Sequence, residues 1–351
     1  MRHVQAGGCA MKFQVEKALA PDARLGFDPA LVRLSGPDGA SATIWPAMGF
    51  NCFDWTVRHK NDLLKLLHAE DDLFQTGKAT RSGNPILFPF PNRIRAGRFS
   101  HAGRDFSLPL TGDNGTTAIH GFACRQAWRV VDQGCATDHA YVTGEYHGHK
   151  DAPETIPLWP ADHTIRMTVR LYANRLRFET EVLNPDCHTL PFGLGFHPYF
   201  STPFAGTGGQ AGCMVRVPAA EYWELESCLP TGRTHAVDAS RDLNDWTDLK
   251  DRSLDDILTA LPDYKADPDG LMERGAIMGL AGHPDAILRV RCDQSFRHMV
   301  VFTPGNRASF CIEPYTCLTD AANLEHNGVP SGWMELKPGA SWTSIMEWTF
   351  G

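Results

Sequence analysis

The chain lacks a basic excess: 33 Lys+Arg stand against 41 Asp+Glu, a formal net charge of −8. A surface that tracks nucleic acid normally carries the opposite sign, so no nucleic-acid partner is expected. No apolar run reaches the ~18 residues a membrane-spanning helix needs, so no membrane partner is expected either. Met1–Met11 is polar and Gly-rich, with no apolar stretch before Cys9, which argues against a secretory leader or lipid anchor. There are 10 cysteines but no CxxC pair, which removes the zinc-ribbon and dithiol motifs. Scattered thiols in apolar runs and no leader point to a reducing cytoplasm. No Gly-rich phosphate loop follows a strand, so nucleotide-binding α/β folds fall away. Helical patterning is thin.

What the chain has is a period of two. Residues 163–172 alternate apolar with polar, and after Ala173-Asn174-Arg175 the alternation resumes through Leu176–Val182. Two such runs about a short Asn-containing turn read as a hairpin with one buried face. The same reading applies to Arg98–Ser100 with Asp105–Leu108, and to Ala140–Tyr146, Ala286–Cys292, His298–Thr303, Ser309–Glu313 and Ser341–Phe350. Leu31–Leu34, Ala42–Trp45 and Cys52–Val57 supply earlier strands. Strands spread along the whole chain predict an all-β fold, a large antiparallel β-sandwich with few short helices. One or two helical turns are expected at Asn61–Leu67, and a short helix opening at Asp255–Leu258. Residues 1–25 read as a poorly ordered N-terminal extension and 26–351 as a single domain. Residues 202–212 read as a long loop, and 236–285, rich in Asp, Pro and Gly, as surface chain that rims a site.

Five segments set polar groups against apolar runs. Gly83–Arg95 is punctuated by prolines, which bar it from a central strand, and delivers Arg93, either a surface cation or a guanidinium fork for ligand oxygens. Arg95 and Arg98 lie close by, but neighbouring strand positions alternate faces. His120 lies between Ile119 and Gly121, where a core histidine with a backbone partner is the ordinary alternative. His197 sits in Phe196-His197-Pro198-Tyr199-Phe200, where proline ends the ladder and aromatic walls tune the imidazole. Glu313 ends an apolar run before Pro314; burying it without a role is costly, so it is either paired to an arginine such as Arg93 or a general base. Asp255 and Asp256 alone read as acids at a helix start.

Taken together, Asn92-Arg93-Ile94, His120-Gly121, His197-Pro198-Tyr199-Phe200, Leu254-Asp255 and Glu313-Pro314 resemble the aldose 1-epimerase (galactose mutarotase) family, from about residue 42 to the C-terminus. The resemblance implies a β-sandwich that interconverts the α and β anomers of a free hexose without a cofactor. It makes Glu313 the general base and His197 the general acid, one on either side of the sugar. It makes Arg93, His120 and Asp255 substrate-binding residues, with Asp256 competing for the place of Asp255 and Leu258 standing where the family has an aromatic. It implies a small-molecule sugar as partner, no metal, and a monomer or homodimer. A non-catalytic carbohydrate-binding protein, a hexose-phosphate epimerase of the same fold, a glycosidase using Asp255 and Glu313, and a metal site from His120, His197 and an acid are the rival readings.

Overall fold

The computed structural model describes residues 12–24, 26–112, 115–204, 210–262, 266–280 and 282–351. They form antiparallel sheets with only short helical segments, of which Ala321–His326 is the longest α-helix. The period-two runs fold as read: Thr164–Leu171 and Arg175–Leu183 make a hairpin, as do Arg98–His101 and Arg104–Ser107. A nine-stranded sheet runs in the order Arg129–Cys135, Ala140–His147, Thr164–Leu171, Arg175–Leu183, Ser341–Phe350, Ile287–Cys292, Met272–Met278, Met214–Arg216, Thr247–Asp248. An eight-stranded sheet includes, in order, Asp255–Thr259, His298–Phe302, Ser309–Tyr315, Gly195–Phe196 and Ile86–Leu87. The two face each other. Phe178 and Trp348 of the first meet Phe196 and Phe200 of the second, with ring centroids 6.0 and 4.9 Å apart. Phe310 and Ile312 point into this same core. A five-stranded sheet from Gln14–Leu19 to Asp62–Lys65 stands beside them.

Three expectations need correction. Asn61–Leu67 is no helix: Asp62–Lys65 is a strand that turns back on Thr56–His59 over Lys60-Asn61, with Leu64 buried and Leu63 exposed as a strand period demands. Asp255–Thr259 is also a strand, hydrogen-bonded on both sides, to Glu221–Glu226 and to His298–Phe302. Pairing from distant segments overrides the local acidic signal there. The stretch 236–285 therefore does more than wander, since it supplies strands to both large sheets. Of the extension expected over 1–25, residues 1–11 and 25 lie outside the described residues, and Gln14–Leu19 forms an edge strand on Ala30–Ser35. The loop expected at 202–212 lies partly outside the described set, at 205–209. Among the described residues no helix is long and apolar enough to cross a membrane.

Candidate active site

Ser309–Tyr315 is buried on both faces. Even-numbered Phe310 and Ile312 fill the core between the sheets, so Cys311, Glu313 and Tyr315 share the opposite face. That face would meet solvent if nothing covered it. Thr80-Arg81, Asn92-Arg93 and the turn from Ile119 to Arg125 stand over it, and between them and the sheet lies a cavity of about 270 Å³ lined by Arg93, His120, His197, Asp255, Glu313 and Tyr315 among others. All five residues singled out in the sequence reach it.

A broken ladder puts His197 there. Gly195 pairs with Tyr315 and Tyr199 with Cys311, in one register, and the pairing lapses between them at His197-Pro198. On its other side this chain stays bonded: the His197 N–H donates to Pro85 O (3.1 Å) and the Tyr199 N–H to Gly83 O (2.8 Å). Proline has no N–H to continue the ladder. His197 is thus directly across from Glu313, its Nδ1 3.3 Å from Glu313 Oε1 without the alignment of a hydrogen bond. The acid and the imidazole stand side by side, and not on either side of a ring as expected.

Burial acts on both in opposite directions. It pushes the Glu313 carboxyl well above the usual range, helped by the nearby Asp255 charge and opposed by the Tyr315 hydrogen bond and Arg93. It pulls His197 down to about 3, with Arg93 adding to the effect. Two tyrosines hold the outer atoms. The Tyr315 hydroxyl donates to Glu313 Oε2 at 2.7 Å, and the Tyr199 hydroxyl lies 3.2 Å from His197 Nε2 with the rings stacked at 4.5 Å. The sequence places Tyr199 in the aromatic wall around His197 but gives it no hydrogen bond, and it gives Tyr315 no role. The signal was available for Tyr315, since Cys311, Glu313 and Tyr315 recur at the strand period.

Arg93 lies in the Arg93–Arg95 strand beside Thr117–Ile119, and its Nη1 donates to Asn92 Oδ1 at 2.9 Å. Arg95 turns away to Asp320, so the Arg93–Arg98 stretch delivers one guanidinium to the cavity. His120 takes a left-handed backbone, φ 64°, with its N–H donating to Asn92 O at 2.7 Å. Its ring meets that of His197 edge-on at 5.5 Å, and burial, the neighbouring His197 and two arginines hold its pKa well down. Gly121 makes this turn possible. Its φ is 62°, and a Cβ there would stand 2.3 Å from Phe88 O. Arg125 Nη1 ties the turn from below by donating to Ile119 O and Gly121 O. Of the two aspartates, Asp255 faces the cavity, whereas Asp256, one strand position on, accepts from Arg241 Nε at 2.7 Å.

The antiparallel β-sandwich is that of the galactose mutarotase-like proteins. This chain belongs to the aldose 1-epimerase family, whose family model matches residues 31–349. It is similar in sequence to the uncharacterized protein YphB of Escherichia coli, 28% identical over 152 residues, 42% of this chain and 45% of that protein. The matched stretch thus spans about half the length of that relative. In structure it is similar to a galactose mutarotase-like protein from Clostridium acetobutylicum (TM-score 0.84, 22% identity, 97% of this chain and 99% of that one). It is also similar to galactose 1-epimerase from Lactobacillus acidophilus (TM-score 0.71, 14% identity, 97% and 99%). At these identities the structural likeness shows the fold alone.

Proposed function

We propose that this protein interconverts the α and β anomers of a free aldose by opening the hemiacetal ring, with Glu313 as general base and His197 as general acid. The observation that carries the reading is the pairing of these two side chains, 3.3 Å apart on the floor of one cavity. The C1 hydroxyl and the ring oxygen sit on the same carbon, so two groups standing side by side can serve both. Burial leaves the pair one exchangeable proton to share, and the reacting form is the one in which His197 carries it. The Glu313 carboxylate takes the proton of the C1 hydroxyl, that oxygen's electron pair forms the aldehyde, the bond from C1 to the ring oxygen breaks, and the His197 imidazolium protonates the freed oxygen. Rotation about C1–C2 and the reverse steps give the other anomer. Each proton transfer is worth ~10²–10⁴-fold. Arg93 and His120 hold substrate oxygens, and Asp255 accepts from a hydroxyl at the rim. The test is polarimetry on fresh α-glucose, α-galactose and related sugars. Acceleration over buffer that Glu313→Gln removes supports the reading. Binding of sugar without acceleration leaves a carbohydrate-binding protein.

One observation favours a second substrate, a hexose phosphate. Arg81 lines the cavity with an exposed guanidinium that makes no ion pair among the described residues, and Arg125 lines it as well. A guanidinium fork suits phosphate oxygens. Comparing kcat/KM for a hexose and its 6-phosphate, in wild type and Arg81→Ala, decides between them.

A further inference from the structure

Cys311 has no part in the chemistry above, yet it shares the face of the strand that carries Glu313, two residues on. It is fully buried. Donor atoms of His197, Cys311 and Glu313 all lie within 4.8 Å of one another. The contact between His197 Nδ1 and Glu313 Oε1 has an odd character. At 3.3 Å it is close, but it is not aligned as a hydrogen bond, and Nδ1 is left buried with no partner. Two ligand atoms on one tetrahedral zinc, at bond lengths of ~2.0–2.3 Å, stand roughly 3.3–3.6 Å apart. The spacing is that of co-ligands.

The outer contacts fit the same picture. A metal-binding histidine usually has its second nitrogen held by a neighbour, and a ligating carboxylate its second oxygen. Here Tyr199 holds His197 Nε2 and Tyr315 holds Glu313 Oε2, which leaves Nδ1 and Oε1 turned toward each other. One nitrogen, one sulfur and one oxygen suit a borderline-soft divalent ion. The sequence pointed instead to His120 as a partner of His197, because the strand carrying Cys311 is legible along the chain but the pairing that brings it beside His197 is not.

We propose that His197 and Glu313 on the cavity floor, with the buried Cys311 beside them, form a binding site for Zn²⁺ whose fourth position opens to the cavity, and that filling it stops anomer exchange. The metal takes the two atoms that would move the protons, and binding releases the Cys311 thiol proton and the Glu313 carboxyl proton to solvent. The inhibition rests on the anomer-exchange reading; the binding does not.

The metal-stripped protein titrated with Co²⁺ gives one equivalent bound and a thiolate-to-cobalt charge-transfer band that Zn²⁺ displaces. Cys311→Ser abolishes the band. Cys187→Ser leaves it, although Cys187 lies in a surface group with Asp186 and His188. Zn²⁺ halts polarimetric exchange, a chelator restores it, and Cys311→Ser needs at least tenfold more Zn²⁺. No band, or a band lost with Cys187 and kept without Cys311, overturns the site. Full exchange with the band saturated overturns the inhibition. Should Cys311→Ser fail to fold, zinc-edge X-ray absorption of the wild type decides: one sulfur with nitrogen and oxygen supports the site, a shell without sulfur refutes it. A protein that binds Co²⁺ through Cys311 but accelerates no anomer exchange keeps the site and loses only the proposed activity.

Discussion

His197 occupies the position across the sheet from Glu313 at the one point where the ladder on that side lapses. Pairing resumes in the same register on both sides, Gly195 with Tyr315 and Tyr199 with Cys311. An intact ladder would commit both backbones to each other. The lapse at His197-Pro198 leaves the imidazole beside the carboxylate on the cavity floor, and burial then holds both toward their neutral forms.

Replacing either member of this pair removes the chemistry and spares the fold. Glu313→Gln and His197→Asn are each expected to lower kcat by about 10²-fold or more, with KM changed far less. Polarimetric rates at saturating sugar check this. Loss of KM with kcat intact would assign the pair to binding.

Asp255 and Asp256 separate binding from stability. Asp255→Asn is expected to raise KM about tenfold, the weight of one charged hydrogen bond. Asp256→Asn should leave the kinetics alone and lower stability by about 1 kcal/mol, because it loosens the half-buried contact with Arg241. Kinetics and urea melts on the two variants give the answer, and the reverse pattern would exchange their roles.

Gly121→Ala should destabilise the protein by about 2 kcal/mol or more, since the residue has φ 62° and its Cβ would meet Phe88 O. The same turn carries His120, so KM should rise in whatever fraction stays folded. An unchanged melting midpoint would show that the turn yields without cost.

Acid stability should depend on buried histidines outside the cavity. Burial pulls His163 down to about 4, against 6.5 when unfolded. Between those values the unfolded chain binds a proton that the folded chain refuses, so stability is full above pH 6.5 and falls as pH drops toward 4. The loss from this group is on the order of 3 kcal/mol. His163 lies edge-on to Phe88 at 5.3 Å, in a site that suits an aromatic ring. His163→Phe is expected to flatten the pH dependence of the urea midpoint by about one proton's worth in that window. A slope identical to wild type would place the proton uptake elsewhere.

The strand period is a local property of the chain and was enough to read an antiparallel sandwich, whereas the prolines around Arg93 and His197 and the apolar run leading to Glu313 pointed to residues of one cavity only when taken together as a family resemblance. Local sequence also misled at Asp62–Lys65 and Asp255–Thr259. Leucines and acids there suggest helix, but strands from 56–59 and 298–302 claim their backbone hydrogen bonds. Alternation along a strand says that Asp255 and Asp256 face opposite ways, and only the packed sheets say which way the cavity lies. The tyrosines lie only two residues from Glu313 and His197, but the register that sets these two across from each other, with the Cys311 thiol beside them, joins segments more than a hundred residues apart. Cross-strand register depends on which side chains pack together across the sheet, so it exists only once the chain has folded.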